Sequence, residues 1–246
     1  MPPTVLTSAA EVLLATDHDP YARGSLRRSD VSGWAAHGAV AWRATDAEER
    51  LPYLMTLGQP AQVARLVEEI LPELRDRTRV TLPRGTAALL PAWVALDGTD
   101  WDHRWMGDTP LLQPGEDRVG PVDEDDVALL LAAASPHASA LPGDPSVVRW
   151  LGVRGPDGLL ACAADTSAAT RVGHLSSIAV HPDARGQGLG AAVTAALIRL
   201  LFAEGCDVVQ LGMYADNTAG RALYDRLGMH DDHPFTSGLL QVRSRW

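Results

Sequence analysis

The sequence predicts a mixed α/β chain (α+β, on a mixed sheet), and three stretches carry that expectation. Residues 175–180 (LSSIAV) are apolar or small and bounded by His-Pro-Asp, the pattern of a buried strand. A glycine-rich turn, Arg185 to Gly190, leads from it into a long apolar helical run, AAVTAALIRLLFAEG. Upstream, VVRWLGVRG and LLACAADTSA flank Pro156-Asp157-Gly158, the turn chemistry of a hairpin.

The earlier half reads in a similar alternation. Ser8 or Thr7 caps a short helix over AAEVLLA, and GAVAWRA (38–44) and LPYLMTLG (51–58) read as strands. Pro60 opens a helical pattern, AQVARLVEEILPELRDR, that Pro72 should kink or end. RVTLP follows as a strand, TAALLPAWVAL as a helix and DHRWM as a strand. Gly107 to Asp117 is turn-rich without apolar period and separates a domain over residues 1–110 from one over 116–246. There, VGPV gives a short strand, Asp123 caps the helix DEDDVALLLAAA, and SPHASALPGDP is a loop. After the hairpin come RVGHLSSIAV, the glycine turn and its helix, then the strand CDVVQLGMY. A helix over 217–227 and a terminal strand or two over 229–242 complete the order.

With 246 residues, 46% of them apolar, the chain can build one large core or two ordinary ones. A formal charge of −10 argues against nucleic-acid or anionic-membrane partners and suits a cationic or amine-bearing acceptor. No apolar run reaches membrane-spanning length, and MPPTVLTSAAEVLL has no basic leader, so a cytoplasmic location is expected. Cys162 and Cys206 lack metal or redox spacing and read as reduced thiols. His230-Asp231-Asp232-His233 matches no dedicated ligand spacing and reads as a solvated loop, so no metal is expected. Oligomeric state is not legible.

Strand, glycine turn and helix N-terminus together form an anion site, because first-turn N–H groups lack partners at the positive end of the helix dipole. Arg185 adds a fork of charged donors. A nucleoside-triphosphate loop needs Gly-Lys, and the 21 basic residues are all arginine. Gly186, Gly188 and Ala191 fit the loose dinucleotide pattern G-x-G-x-x-A, but the next strand, VVQLGMY, ends without the carboxylate that a ribose requires.

The whole string resembles the acyl-CoA signature of the GNAT superfamily of N-acyltransferases, V-H-P-x-x-R-G-x-G-L-G. It stands here as Val180-His181-Pro182 followed by Arg185 to Gly190. A second family motif follows: Asn217, then Ala222-Leu223-Tyr224, then Leu227-Gly228-Met229, with Gly220 and Met229 where the family usually has Ala and Phe. The resemblance covers roughly residues 116–240 and implies a GNAT-like fold there. The similar element order upstream suggests a degenerate GNAT-like copy in tandem. Its strand-to-helix junction, Leu57-Gly58-Gln59-Pro60, lacks Arg-x-x-Gly-x-Gly and is expected not to hold a pyrophosphate.

The resemblance implies an acyl-CoA-dependent N-acyltransferase, with acetyl-CoA as co-substrate and the primary amine of a small molecule or peptide as acceptor. A binding protein that grips acyl-CoA without turnover is the alternative. By position, the main chain of Ile178, Ala179 and Val180 pairs with pantetheine at a strand bulge, and the Val180 N–H serves the oxyanion. Arg185, Gly186, Gln187, Gly188, Leu189, Gly190 and Ala191 supply the pyrophosphate donors. Tyr224 stands at the general-acid position, or is a packed helix tyrosine; Asn217 caps its helix, and reaches the coenzyme arm or only caps. His174 stands where histone-type members carry a glutamate base, or is simply a strand-end histidine. Loops 135–146 and 230–238 are expected to shape the acceptor pocket.

Overall fold

The computed structural model describes residues 2–26, 31–44, 53–74, 78–168 and 171–242. Contacts divide the chain into two compact units. The first comprises Met1–His103, Tyr214–Asp216 and Asp232–Trp246, and the second Arg104–Met213 and Asn217–Asp231.

The first unit opens with β1 (Thr4–Leu6), α1 (Ala9–Ala15) and α2 (Pro20–Ser25). Ser8 caps α1 by accepting from the Glu11 N–H, and Asp19 caps α2 ahead of Pro20. Then come β2 (Val31–Ala36), β3 (Ala39–Ala44), β4 (Tyr53–Leu57), α3 (Pro60–Ile70), β5 (Arg79–Pro83) and the long β6 (Val94–Met106). Pro72 acts as expected: α3 stops at Ile70 and a 3₁₀ turn, Leu71–Glu73, takes over. The predicted helix over TAALLPAWVAL does not form. A 3₁₀ turn over Thr86–Leu89 ends at extended Leu90, because Pro91 disfavours helical backbone before it and removes a donor, and the chain becomes β6 by Val94. β1, α2 and β2 have no counterpart in the sequence reading.

The second unit holds β7 (Val119–Pro121), α4 (Glu124–Ala134), β8 (Arg149–Gly155), β9 (Gly158–Asp165), β10 (Val172–Val180), α5 (Leu189–Ala203), β11 (Val208–Tyr214) and α6 (Thr218–Leu227). Asp123 occupies the N-cap position of α4 but makes no capping bond; its carboxylate pairs with Arg154 at 2.8 Å. The last strand, β12 (His230–Val242), pairs antiparallel with β5, Phe235 opposite Pro83. The predicted solvated loop at His230–His233 is therefore the start of a strand.

Each unit has the same internal order. Strands run β1-β2-β3-β4-β5 in one and β7-β8-β9-β10-β11 in the other. All neighbours are antiparallel except the last pair, β4 with β5 and β10 with β11, which a helix connects in parallel.

In the second unit, α5 packs Leu197, Ile198 and Leu201 on Leu175, Val209 and Leu211 of one sheet face. α4 packs Val127, Leu130 and Leu131 on Cys162, Ala164 and Ala179 of the other. Each such fully buried aliphatic side chain contributes roughly 2 kcal/mol. Gly173 permits the close approach of α5, since a Cβ there would stand 2.9 Å from Leu201. This two-sided burial holds β10 rigid where its pattern breaks.

Candidate active site

The break lies in the second half of β10. Its parallel ladder with β11 pairs Val172–Leu175 with Val208–Leu211 and ends there, although both strands continue. On the other edge, the register with β9 shifts between Ser176 and Ala179. Ser177 sits in the shift at φ 49°, a left-handed conformation that costs a non-glycine residue about 1 kcal/mol. Its hydroxyl donates to the Ala140 carbonyl and accepts from the Ala140 N–H, both at 2.8 Å. The bulge turns β10 away from β11 and leaves an edge of main chain beside a cleft.

The glycine turn forms the far end of that cleft. After a 3₁₀ turn over Pro182–Ala184, Gly186 and Gly188 take φ 77° and 79°, and no atom lies within 4 Å of where either Cβ would be. Gly188 is the N-cap of α5 and has no side chain to satisfy the first-turn amides. Gly190 does different work: a Cβ there would meet Leu223 at 2.8 Å, so its absence lets α5 and α6 close up. The cleft, about 530 Å³, runs from the bulge past the glycine turn and along α6 as far as Arg226. An anionic ligand of diphosphate size fits uncapped amides at a dipole's positive end, with open space where side chains would stand.

The corresponding junction of the first unit differs. Pro60 removes a donor at the start of α3, and Gln59 and Gln62 form a capping box that consumes others. At Gly58 a Cβ would stand 3.0 Å from Ala39, so the turn is closed rather than open. No equivalent cradle exists there.

Residues 111–229 match the family model described as Acetyltransferase (GNAT) family. This half of the chain is a GNAT domain. Among curated proteins, a mycothiol acetyltransferase of Kocuria rhizophila is 44% identical over 62 residues, 25% of this chain and 20% of that protein. One from Saccharopolyspora erythraea is 46% identical over 55 residues, 22% and 18% of the two chains. The aligned stretch thus spans about a fifth of the length of these relatives. Among solved structures, a GCN5-related N-acetyltransferase from Kribbella flavida aligns with TM-score 0.56 at 18% identity, covering 95% of both chains. An acetyltransferase from the GNAT family from Colwellia psychrerythraea gives TM-score 0.53 at 12% identity, covering 98% of this chain and 100% of that one. At such identities the likeness is one of fold.

The GNAT domain brings most of the sequence-derived residues to one place. Ile178, Ala179, Val180, Arg185, Gly186, Gly188, Leu189, Gly190 and Ala191 line the cleft with Asn217 and Tyr224. Gln187 does not; its amide lies 3.5 Å from the Asp183 carbonyl, bracing the turn. Asn217 caps α6, its Oδ1 accepting from the Gly220 N–H at 2.9 Å, and the missing Cβ of Gly220 gives that side chain room. Tyr224 is 6% exposed, and burial pushes its phenol up to about 12, while the Arg104 charge acts in the opposite direction.

His174 does not line the cleft. Its strand neighbours Gly173 and Leu175 face α5, so its imidazole lies on the opposite face of the sheet. There Nδ1 is 2.8 Å from the Thr166 hydroxyl, which is 3.0 Å from that of Ser176. Cys162 is buried and pushed up to about 12, and burial also raises Cys206, so neither offers a ready thiolate.

At the start of β12, His230 packs on Trp105 and Asp231 pairs with Arg221 at 3.0 Å. In the first unit Asp19, Asp232 and His233 each bring a ligand-type atom within 4.8 Å of the others. An ion pair accounts for the approach, since His233 donates to Asp19 at 2.7 Å. Sequence reasoning missed Ser177, Thr166 and Arg104. The first two are small polar residues whose importance comes from a bulge and a cross-strand neighbour. Arg104 left one faint signal, a charge amid the aromatic residues of DHRWM. Among the described residues no helix is long and apolar enough to cross a membrane.

Proposed function

We propose that the chain is an acyl-CoA-dependent N-acyltransferase that moves an acetyl group from acetyl-CoA to the primary amine of a small molecule or peptide. The observation that carries this reading is the uncapped N-terminus of α5, opening through two left-handed glycines onto a strand that has parted from its neighbour. Amides of Gly188 to Ala191 and the Arg185 guanidinium would hold the diphosphate, and the free edge of Ile178–Val180 would take the pantetheine amides.

Transfer needs a neutral amine, a stabilised oxyanion and a protonated leaving thiolate. The Val180 N–H would meet the oxyanion, and Tyr224 would protonate the sulfur. His174 would receive the amine's proton across the bulge, through Ser176 or water; the hydroxyls around its Nδ1 support that role. Both cysteines hold their protons firmly, which favours direct attack over an acyl-enzyme. We read the first unit as a degenerate copy with a blocked cradle, supported by the shared strand order, and the cytoplasm as the working compartment.

The test is release of free CoA from acetyl-CoA over amino acids, polyamines, aminoglycosides, arylamines, peptide N-termini and the acceptor used by mycothiol acetyltransferases. Turnover with one class supports the reading. Tight coenzyme binding with no turnover on any acceptor would favour a sensor, and no binding at all would refute both.

A further inference from the structure

Arg104, seven residues ahead of the matched domain but within the second unit, is the most deeply buried cation among that unit's described residues, with 1% of its side chain exposed. On β6 it shares a face with Met106, two residues on, and Met106 packs in the same apolar cluster as Tyr224. Its Nη1 donates to Asp225 at 2.6 Å, and Nη2 lies 3.1 Å from Asp231. Asp225 directly follows Tyr224, so the guanidinium is anchored to the helical turn that carries the phenol. The two carboxylates are 56% and 41% exposed, and water screens them, whereas the cation is dry. Arg104 Nε is buried with no hydrogen-bond acceptor among the described residues. Such a cation is expensive to bury, and its field is left incompletely cancelled toward the interior.

We propose that Arg104 is the positioning residue that holds positive charge beside Tyr224 and makes this phenol a usable acid toward the leaving thiolate. The inference rests on the acid role given to Tyr224 above. In the transfer a C–N bond forms and the C–S bond breaks, and the sulfur leaves with the electron pair and takes the phenolic proton. The amine's surplus proton goes to the base, and the tyrosinate later recovers a proton from solvent. Between those events a full negative charge stands in a dry site. Burial disfavours that charge, and the Arg104 cation acts against burial.

The experiment compares acetyl-CoA with its selenoester analogue, whose selenolate leaves without needing a proton, using an amine that turns over in the panel above. Tyr224→Phe and Arg104→Met should each lower kcat on the thioester by about tenfold or more. Most of that deficit should vanish on the selenoester, with coenzyme Kd unchanged. The double variant should be no slower than Tyr224→Phe alone. Arg104→Lys, which guards against a folding failure, should retain most of the thioester rate. Equal losses by Arg104→Met on both donors, or an unchanged kcat with only a lowered Tm, would make Arg104 structural and overturn the proposal. A full thioester loss in Arg104→Lys would overturn it too. If Tyr224→Phe shows no leaving-group dependence, the acid reading itself fails; if only Arg104→Met lacks it, Arg104 alone does.

Discussion

Ser177 and Ala140, 37 residues apart, exchange two hydrogen bonds at 2.8 Å through one hydroxyl, and this ties the bulge of β10 to the loop after α4. The strain of a left-handed serine is offset by these two bonds. Ser177→Gly keeps the backbone and removes the tie. It should cost about 1–2 kcal/mol in urea unfolding, with weaker coenzyme binding as the bulge loosens. Unchanged stability would mean that the loop is held by other contacts.

Gly188→Glu should lower affinity for CoA by about a hundredfold or more in calorimetry, because it sets bulk and negative charge against the diphosphate. Gly188→Ala should cost about 1 kcal/mol of stability for its φ of 79° and bind more nearly normally. Undiminished binding by the glutamate variant would remove the proposed site.

Burial holds the Tyr224 phenol at about 12, so it keeps its proton throughout the usual assay range. The kcat profile should therefore show no fall from tyrosine ionisation up to about pH 10. A basic limb that disappears in Tyr224→Phe would show that the phenol ionises earlier than its environment implies.

His233 supplies a pH-dependent contribution in the first unit. Burial pulls its imidazole down, but the hydrogen bond and charge of Asp19, helped by Asp232, leave it above the ordinary histidine value. A group raised on folding adds stability that is complete below its unfolded value, near 6.5, and is lost as pH rises through the folded one. Chemical denaturation should show a larger deficit for His233→Asn at pH 6 than at pH 8, and a deficit independent of pH would exclude the ion pair.

What could be read in the sequence was whatever depends on neighbours close along the chain. The hairpin at Pro156–Gly158, the helix stop at Pro72, the glycine turn and the Asn217 cap all rest on local backbone chemistry, and the structure has each. TAALLPAWVAL misled because an apolar run of only about three helical turns fits helix or strand, and one proline decides. His230–His233 looked like a loop because its polarity is that of an exposed strand start, whose partners lie far away in sequence.

The order of elements, the anion cradle and the family of residues 111–229 follow from the sequence itself, since glycine, proline and apolar spacing constrain backbone directly. Tertiary structure alone decided that Ser177 would bend β10 and that His174 would face away from the cleft. It also decided that Arg104 would be dry beneath α6 while its acidic partners stay wet. Burial and charge proximity are sums over residues distant in the chain, and no short window of sequence contains them.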